Sequence, residues 1–141
     1  MTITSNAQWS VNFANYNGGK VTIKGGTYTN VGAGEDDHYD LIYVKNGGEV
    51  VINGGIFNAQ TPAWTLNSHD TSKGTITVYG GSFYGFNPSN NKAEGANTNF
   101  CAEGYCAVKE NDYYTVQKHS YTSTVTAPTC TAAGFTTHTC A

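Results

Sequence analysis

The stretch "GKVTIKGGTY", residues 19–28, decides the fold. It runs from a glycine through alternating polar and β-branched residues into a glycine pair, a small residue and an aromatic one. Taken alone, Gly25-Gly26 after a β-branched run reads as a hairpin turn. The pattern returns, however, as "GEVVINGGIF" at 48–57 and "GTITVYGGSF" at 74–83. The glycine pairs therefore begin at 25, 54 and 80, which is 29 and then 26 residues apart. Self-similarity at periods of about 20–50 residues marks an array of stacked units. The glycine pair becomes a corner that the chain turns once per unit.

Each unit carries a second apolar segment upstream: "WSVNF" at 9–13, "LIYV" at 41–44 and "AWTL" at 63–66. Two or three short strands per unit, joined by glycine-rich corners, describe an all-β fold. They predict a short right-handed parallel β-helix, a solenoid of about three to four rungs, whose equivalent strands stack about 4.8 Å apart. Alternation sends Val21, Ile23, Val50, Ile52, Ile76 and Val78 inward, and Thr22, Lys24, Asn53, Thr75 and Thr77 outward, with Val51 left exposed. Tyr28, Phe57 and Phe83 share one offset from their glycine pairs and predict an aromatic ladder. A propeller needs about 40 residues per blade. Isolated hairpins would leave open edges without the Lys and Pro residues that usually guard them.

Composition agrees. The 141 residues are 38% hydrophobic and only 12% charged, with 17 Gly and 10 Tyr, a balance that favours strands and turns. No stretch holds the spacing of an amphipathic helix. The net charge is −3 and the seven basic residues are scattered, so no basic stripe for nucleic acid exists. No apolar run reaches the roughly 18 residues of a membrane span. Met1 is followed by polar "TITSNAQW", which shows no secretory leader and fits an intracellular chain, a phage protein or a piece of a longer secreted one. The four cysteines, at 101, 106, 130 and 140, all lie in the last third, so disulfides do not build the scaffold.

The "GG.VTI.GGTY"-type units resemble the right-handed parallel β-helix repeats of large adhesin-like surface proteins of gut bacteria and of phage fibre proteins. "NFCAEGYCAVKENDYYTV" at 99–116 is similar to the short unit that closes such arrays, usually with an apolar residue where Cys101 stands. The tail "HSYTSTVTAPTCTAAGFTTHTCA" at 119–141 is similar to the Cys-containing "PTCT..G.T..TC" repeats that follow them. The resemblance implies two parts: a parallel β-helix with its closing unit over 1–117, and a truncated surface repeat over 118–141. Because the tail stops in mid-motif after Cys140, it also implies a fragment of a longer extracellular, cell-surface chain, or alternatively a virion protein.

The connections after the ladder aromatics are unequal. Those over 30–40 and 84–99 are long and leave the same corner, so one face is decorated, and loops on a rigid scaffold are where function usually sits. Tyr39, Tyr84 and Phe86 offer rings for sugars there, with Asp36, Asp37, His38 and Asn87 to bond hydroxyls. The plainer reading makes Tyr84 and Phe86 the closure of the last rung. Glu35, Asp36, Asp37 and Asp40 form a weak Ca²⁺ candidate without the EF-hand pattern, and a solvated acidic loop is the plainer reading. Trp9 and Trp64 read as core or capping residues, and His69, Asp70 and Lys73 as surface.

Cys101 and Cys106 are candidates for a disulfide across a tight turn, against a buried Cys101 with a free Cys106; Cys130 and Cys140 are candidates for a second bridge. Zinc held by Cys130 and Cys140 with His119 or His138 lacks the usual short spacing.

Three functions follow. The favoured one is a non-catalytic surface or adhesin-type stalk whose long-loop face recognises host or dietary glycans or a surface protein. The second is a phage fibre or spike, which implies a homo-oligomer. The third is a pectate-lyase-like enzyme; lyases resembling this array use Ca²⁺ and a basic residue, but generally on more rungs. No nucleic acid, no membrane insertion and no cofactor other than Ca²⁺ is expected.

Overall fold

The structure, a computed structural model, describes residues 1–5, 18–33 and 38–120 in full, together with the backbone of 13–15, 121–126 and 135–140. The fold is all-β, and among the described residues no helix is long and apolar enough to cross a membrane. The strands are β1 (Thr2–Ser5), β2 (Phe13–Asn15), β3 (Lys20–Ile23), β4 (Thr27–Asn30), β5 (Ile42–Val44), β6 (Glu49–Ile52) and β7 (Ile56–Ala59). A 3-10 turn at Pro62–Trp64 precedes β8 (Leu66–Ser68), β9 (Thr75–Val78) and β10 (Gly81–Tyr84). The chain continues with β11 (Tyr105–Glu110), β12 (Tyr113–Lys118), β13 (Tyr121–Thr126) and β14 (Phe135–Cys140).

Pairing follows the repeat. Each strand of one repeat pairs in parallel with its counterpart three strands later, giving the sheets β2-β5-β8, β3-β6-β9 and β1-β4-β7-β10. On β10 the direction reverses: β12 pairs antiparallel with it, and β11 forms a hairpin with β12. The β11-β12 hairpin thus ends the run of parallel strands on this sheet. Cys101 adds one parallel bridge to Val78 on the neighbouring sheet. β13 and β14 pair as an antiparallel hairpin.

The three sheets share one core. Ile23, Val50, Ile52, Ile76 and Val78 pack with Ile42, Val44 and Leu66 and with Tyr28, Phe57 and Phe83. The alternation read from the sequence holds for most positions: Ile23, Val50, Ile52, Ile76 and Val78 lie buried while Thr22, Lys24, Asn53 and Thr75 are exposed, and Val21, Thr77 and Val51 are half-buried. The predicted ladder also forms. Tyr28 and Phe57 stack at 5.1 Å with an interplanar angle of 8°, and Phe57 and Phe83 at 4.6 Å with 6°. Register explains it, since Tyr28 pairs with Phe57 and Phe57 with Phe83 across adjacent strands.

One upstream segment needs correction. β2 pairs Phe13 with Ile42 of β5, and residues 9–12 of "WSVNF" lie outside the described residues; β5 pairs Ile42 with Leu66 of β8, so the third strand begins at Leu66, later than "AWTL" suggests. Pro62 starts the 3-10 turn that takes up Ala63 and Trp64. Trp64 packs half-buried against the core from that turn, while Trp9 lies outside the described residues.

The second glycine of each pair has a physical reason. Gly26, Gly55 and Gly81 take φ of +113°, +126° and +114°, where a side chain strains the backbone. At Gly55 a Cβ would also press on the Gly26 carbonyl at 3.2 Å and on the Phe57 ring at 3.2 Å. Gly55→Ala is expected to cost about 1–3 kcal/mol in urea unfolding. An unchanged midpoint would show that the corner adapts.

Candidate functional site

A groove crosses the outer face of the sheet that carries the ladder. The ladder aromatics point inward, so the residue after each points outward. Thr29 pairs with Asn58, Tyr84 follows Phe83 as Asn58 follows Phe57, and Tyr113 pairs with Tyr84. This outward row lines a shallow depression of about 250 Å³ with Val31 and Gln60. Gln60 and Tyr84 continue into a second depression with Pro62, Lys109, Asp112 and Tyr114. Crossing β4, β7, β10 and β12, the row spans about 14 Å at the usual strand spacing.

Tyr84 is the exposed ring of the groove, at 40% exposure, and meets the Tyr113 ring edge-on at 5.6 Å. Tyr113 is held in turn, its hydroxyl donating to Asn58 Oδ1 at 2.8 Å. Val31, 53% exposed, adds apolar surface. The groove combines aromatic faces with amides and a hydroxyl, which is chemistry for a polyhydroxylated ligand with an apolar face. Thr29, Asn58 and Tyr113 were missed in the sequence. For Thr29 and Asn58 the signal was available, since each lies one position past a ladder aromatic.

A separate pocket of about 370 Å³ is lined by His38, Tyr43, Trp64, Asn67, Ser68, His69 and Asp70. His38 stacks on Trp64 at 4.5 Å, and Tyr43 meets His69 edge-on at 6.4 Å. His69 Nδ1 accepts the backbone N–H groups of Thr71 and Ser72, which puts the ring's proton on Nε2. Behind this pocket Asp40 is buried at 1% exposure. Its Oδ2 accepts from Asn67 Nδ2 at 3.0 Å, and its backbone carbonyl accepts from the Asn30 amide at 3.4 Å. Oδ1 has no hydrogen-bond donor among the described residues and lies 3.9 Å from His38 Nδ1. Burial pushes the Asp40 carboxyl up to about 6, against the Asn67 bond and the nearby His38, which pull it down.

The residues read from the sequence therefore part company. Tyr84 lies in the groove and His38 in the pocket. Tyr39 and Phe86 are corrected: at 7% and 3% exposure neither presents a ring to a ligand. Phe86 packs between Phe83 and Phe100, as closure of the last repeat requires. Asn87 holds its own loop, accepting from the Ser89 N–H through Oδ1 and from Asn91 through its carbonyl. Glu35, Asp36 and Asp37 lie outside the described residues. Asp40 is corrected as an open-loop ligand, because its carboxylate is buried and bonded to Asn67. Among the described residues no group of three His, Cys, Asp or Glu side chains is placed to hold a metal. His69 and Asp70, read with Lys73 as surface, are half-buried and exposed, and both line the pocket.

The cysteine reading changes too. Cys101 is free while Cys106 is disulfide-bonded, so the two are not joined. The Cys106 partner lies outside the described side chains, as do the side chains of Cys130 and Cys140; with four cysteines in the chain and Cys101 free, the Cys106 bond is incompatible with the Cys130–Cys140 pair read from the sequence. Cys101 occupies the bridge to Val78 and meets Ser89 Oγ at 3.2 Å. Burial raises its thiol pKa, although the Ser89 contact opposes this, so it is a poor nucleophile at neutral pH.

Comparison of the chain with protein-family models, with curated proteins and with solved structures returned no match.

Proposed function

We propose that the chain is a non-catalytic module of a surface-displayed protein, a short right-handed parallel β-helix whose groove recognises glycans. Support for the β-helix is the pairing of each repeat strand with its counterpart three strands later, in three parallel sheets around one core. A right-handed path is the nearly universal choice for parallel crossovers. The observation that carries the glycan reading is the outward row Thr29, Asn58, Tyr84 and Tyr113. It sets an exposed ring beside an amide and a hydroxyl along a line long enough for a short oligosaccharide. Tyrosine faces stack on the apolar face of a pyranose, while amides bond its hydroxyls. A stalk that binds through such a row needs no cofactor, and it works as part of a longer extracellular chain.

The test is a glycan array followed by titration of the best binder. Tyr84→Ala is expected to weaken binding about three- to tenfold, the worth of one aromatic contact, and Tyr84→Phe to retain it. Unchanged binding by Tyr84→Ala would remove the groove as the site.

A further inference from the structure

The pocket of His38, Tyr43 and Asp70 shares no lining residue with the groove, and the groove does not explain it. At about 370 Å³ it falls in the range of small-molecule sites. Two aromatic pairs wall it, His38 with Trp64 and Tyr43 with His69. Its one carboxylate is that of Asp70, which is exposed, and no lysine lines it among the described residues. A second carboxylate lies directly behind. Asp40 bonds Asn67 and faces His38, both members of the pocket, and its Oδ1 is buried without a donor among the described residues. Aromatic rings and the Asp70 carboxylate therefore line one cavity, with the Asp40 carboxylate buried behind its wall.

We infer that this pocket binds an organic ammonium group, such as a quaternary amine or the amine of an amino sugar. Ring quadrupoles attract a cation, and more strongly where water is partly excluded. Asp70 supplies a direct ion pair at the mouth, and the Asp40 charge, screened little by solvent, adds to the potential inside. A metal ion fits the site less well, because His69 Nδ1 already accepts two backbone N–H groups. This inference does not depend on glycan binding in the groove.

Choline and its neutral isostere 3,3-dimethyl-1-butanol distinguish charge from shape. Each is titrated into the full chain at low salt near pH 8, where imidazoles in general are uncharged. The proton signals of the probe are followed by NMR, because rings around the methyl groups shift them upfield. Choline is expected to saturate and the isostere to bind about tenfold more weakly. Asp70→Asn and Tyr43→Leu should each weaken choline about fivefold. Asp70 is exposed, so its replacement leaves the packing intact and keeps the test independent of folding. Equal binding of the two probes, no saturable shift up to about 100 mM choline, or wild-type binding by both variants would overturn the inference.

Discussion

Phe57→Ala is expected to lower the free energy of unfolding by about 3–5 kcal/mol, the loss typical of a large aromatic removed from a core. Phe57 is fully buried and is the middle ring of the ladder, in near-parallel contact with Tyr28 on one side and Phe83 on the other. Its removal breaks both contacts and leaves a cavity that the paired strands β4, β7 and β10 cannot close, since their spacing is set by backbone hydrogen bonds. In a stacked array stability resides largely in interfaces between neighbouring units. The variant therefore weakens two interfaces at once. Phe57→Leu, which keeps part of the volume, should lose clearly less. Urea unfolding followed by circular dichroism measures both, and a loss below about 1 kcal/mol for Phe57→Ala would show that the stacked rings are incidental to stability.

Asp40→Asn is expected to stabilise the protein at neutral pH. The wild-type carboxyl moves from 3.8 to about 6 on folding, chiefly because burial disfavours its charge. Between those values the folded chain holds the proton more tightly than the unfolded one, so stability falls as pH rises through that window. Above about pH 6 the penalty is constant, at about 3 kcal/mol from 1.36 kcal/mol per pH unit. Asparagine carries no charge and still offers Asn67 an acceptor, so it escapes this penalty. The two proteins should be nearly equal in stability near pH 4, with the Asp40→Asn variant ahead by up to about 3 kcal/mol near pH 7. Urea unfolding at both pH values tests this. A difference between them that does not change with pH would mean that the Asp40 charge costs nothing in the folded state.

Much of the fold was legible because repetition turns a local pattern into register. A single "KGGTY" is ambiguous between a hairpin and a corner, but three copies at nearly constant spacing align Tyr28, Phe57 and Phe83 without further information. Strand starts were less legible where apolar character and conformation disagree. Trp64 is apolar enough to read as strand, yet Pro62 places it in a 3-10 turn and Leu66 opens β8. The site was legible only in part, because a loop sequence does not tell which of its aromatics turns inward. Tyr39, Tyr84 and Phe86 look alike on paper, and of these three Tyr84 alone reaches solvent.

What the sequence by itself determined, then, is the all-β class, the repeat, the inward faces and the ladder, all of which follow from alternation and from the glycine pairs. Tertiary structure alone decided which polar groups meet. It buried Asp40 between Asn67 and His38, carried His69 and Asp70 to the same pocket, set Tyr113 beside Tyr84, and left Cys101 free while Cys106 bonded elsewhere. The Asp40–Asn67 and Tyr84–Tyr113 contacts join residues tens of positions apart through strand register and loop path. No local pattern encodes such distances, whereas the period of a strand and the φ of a glycine are properties of a few adjacent residues.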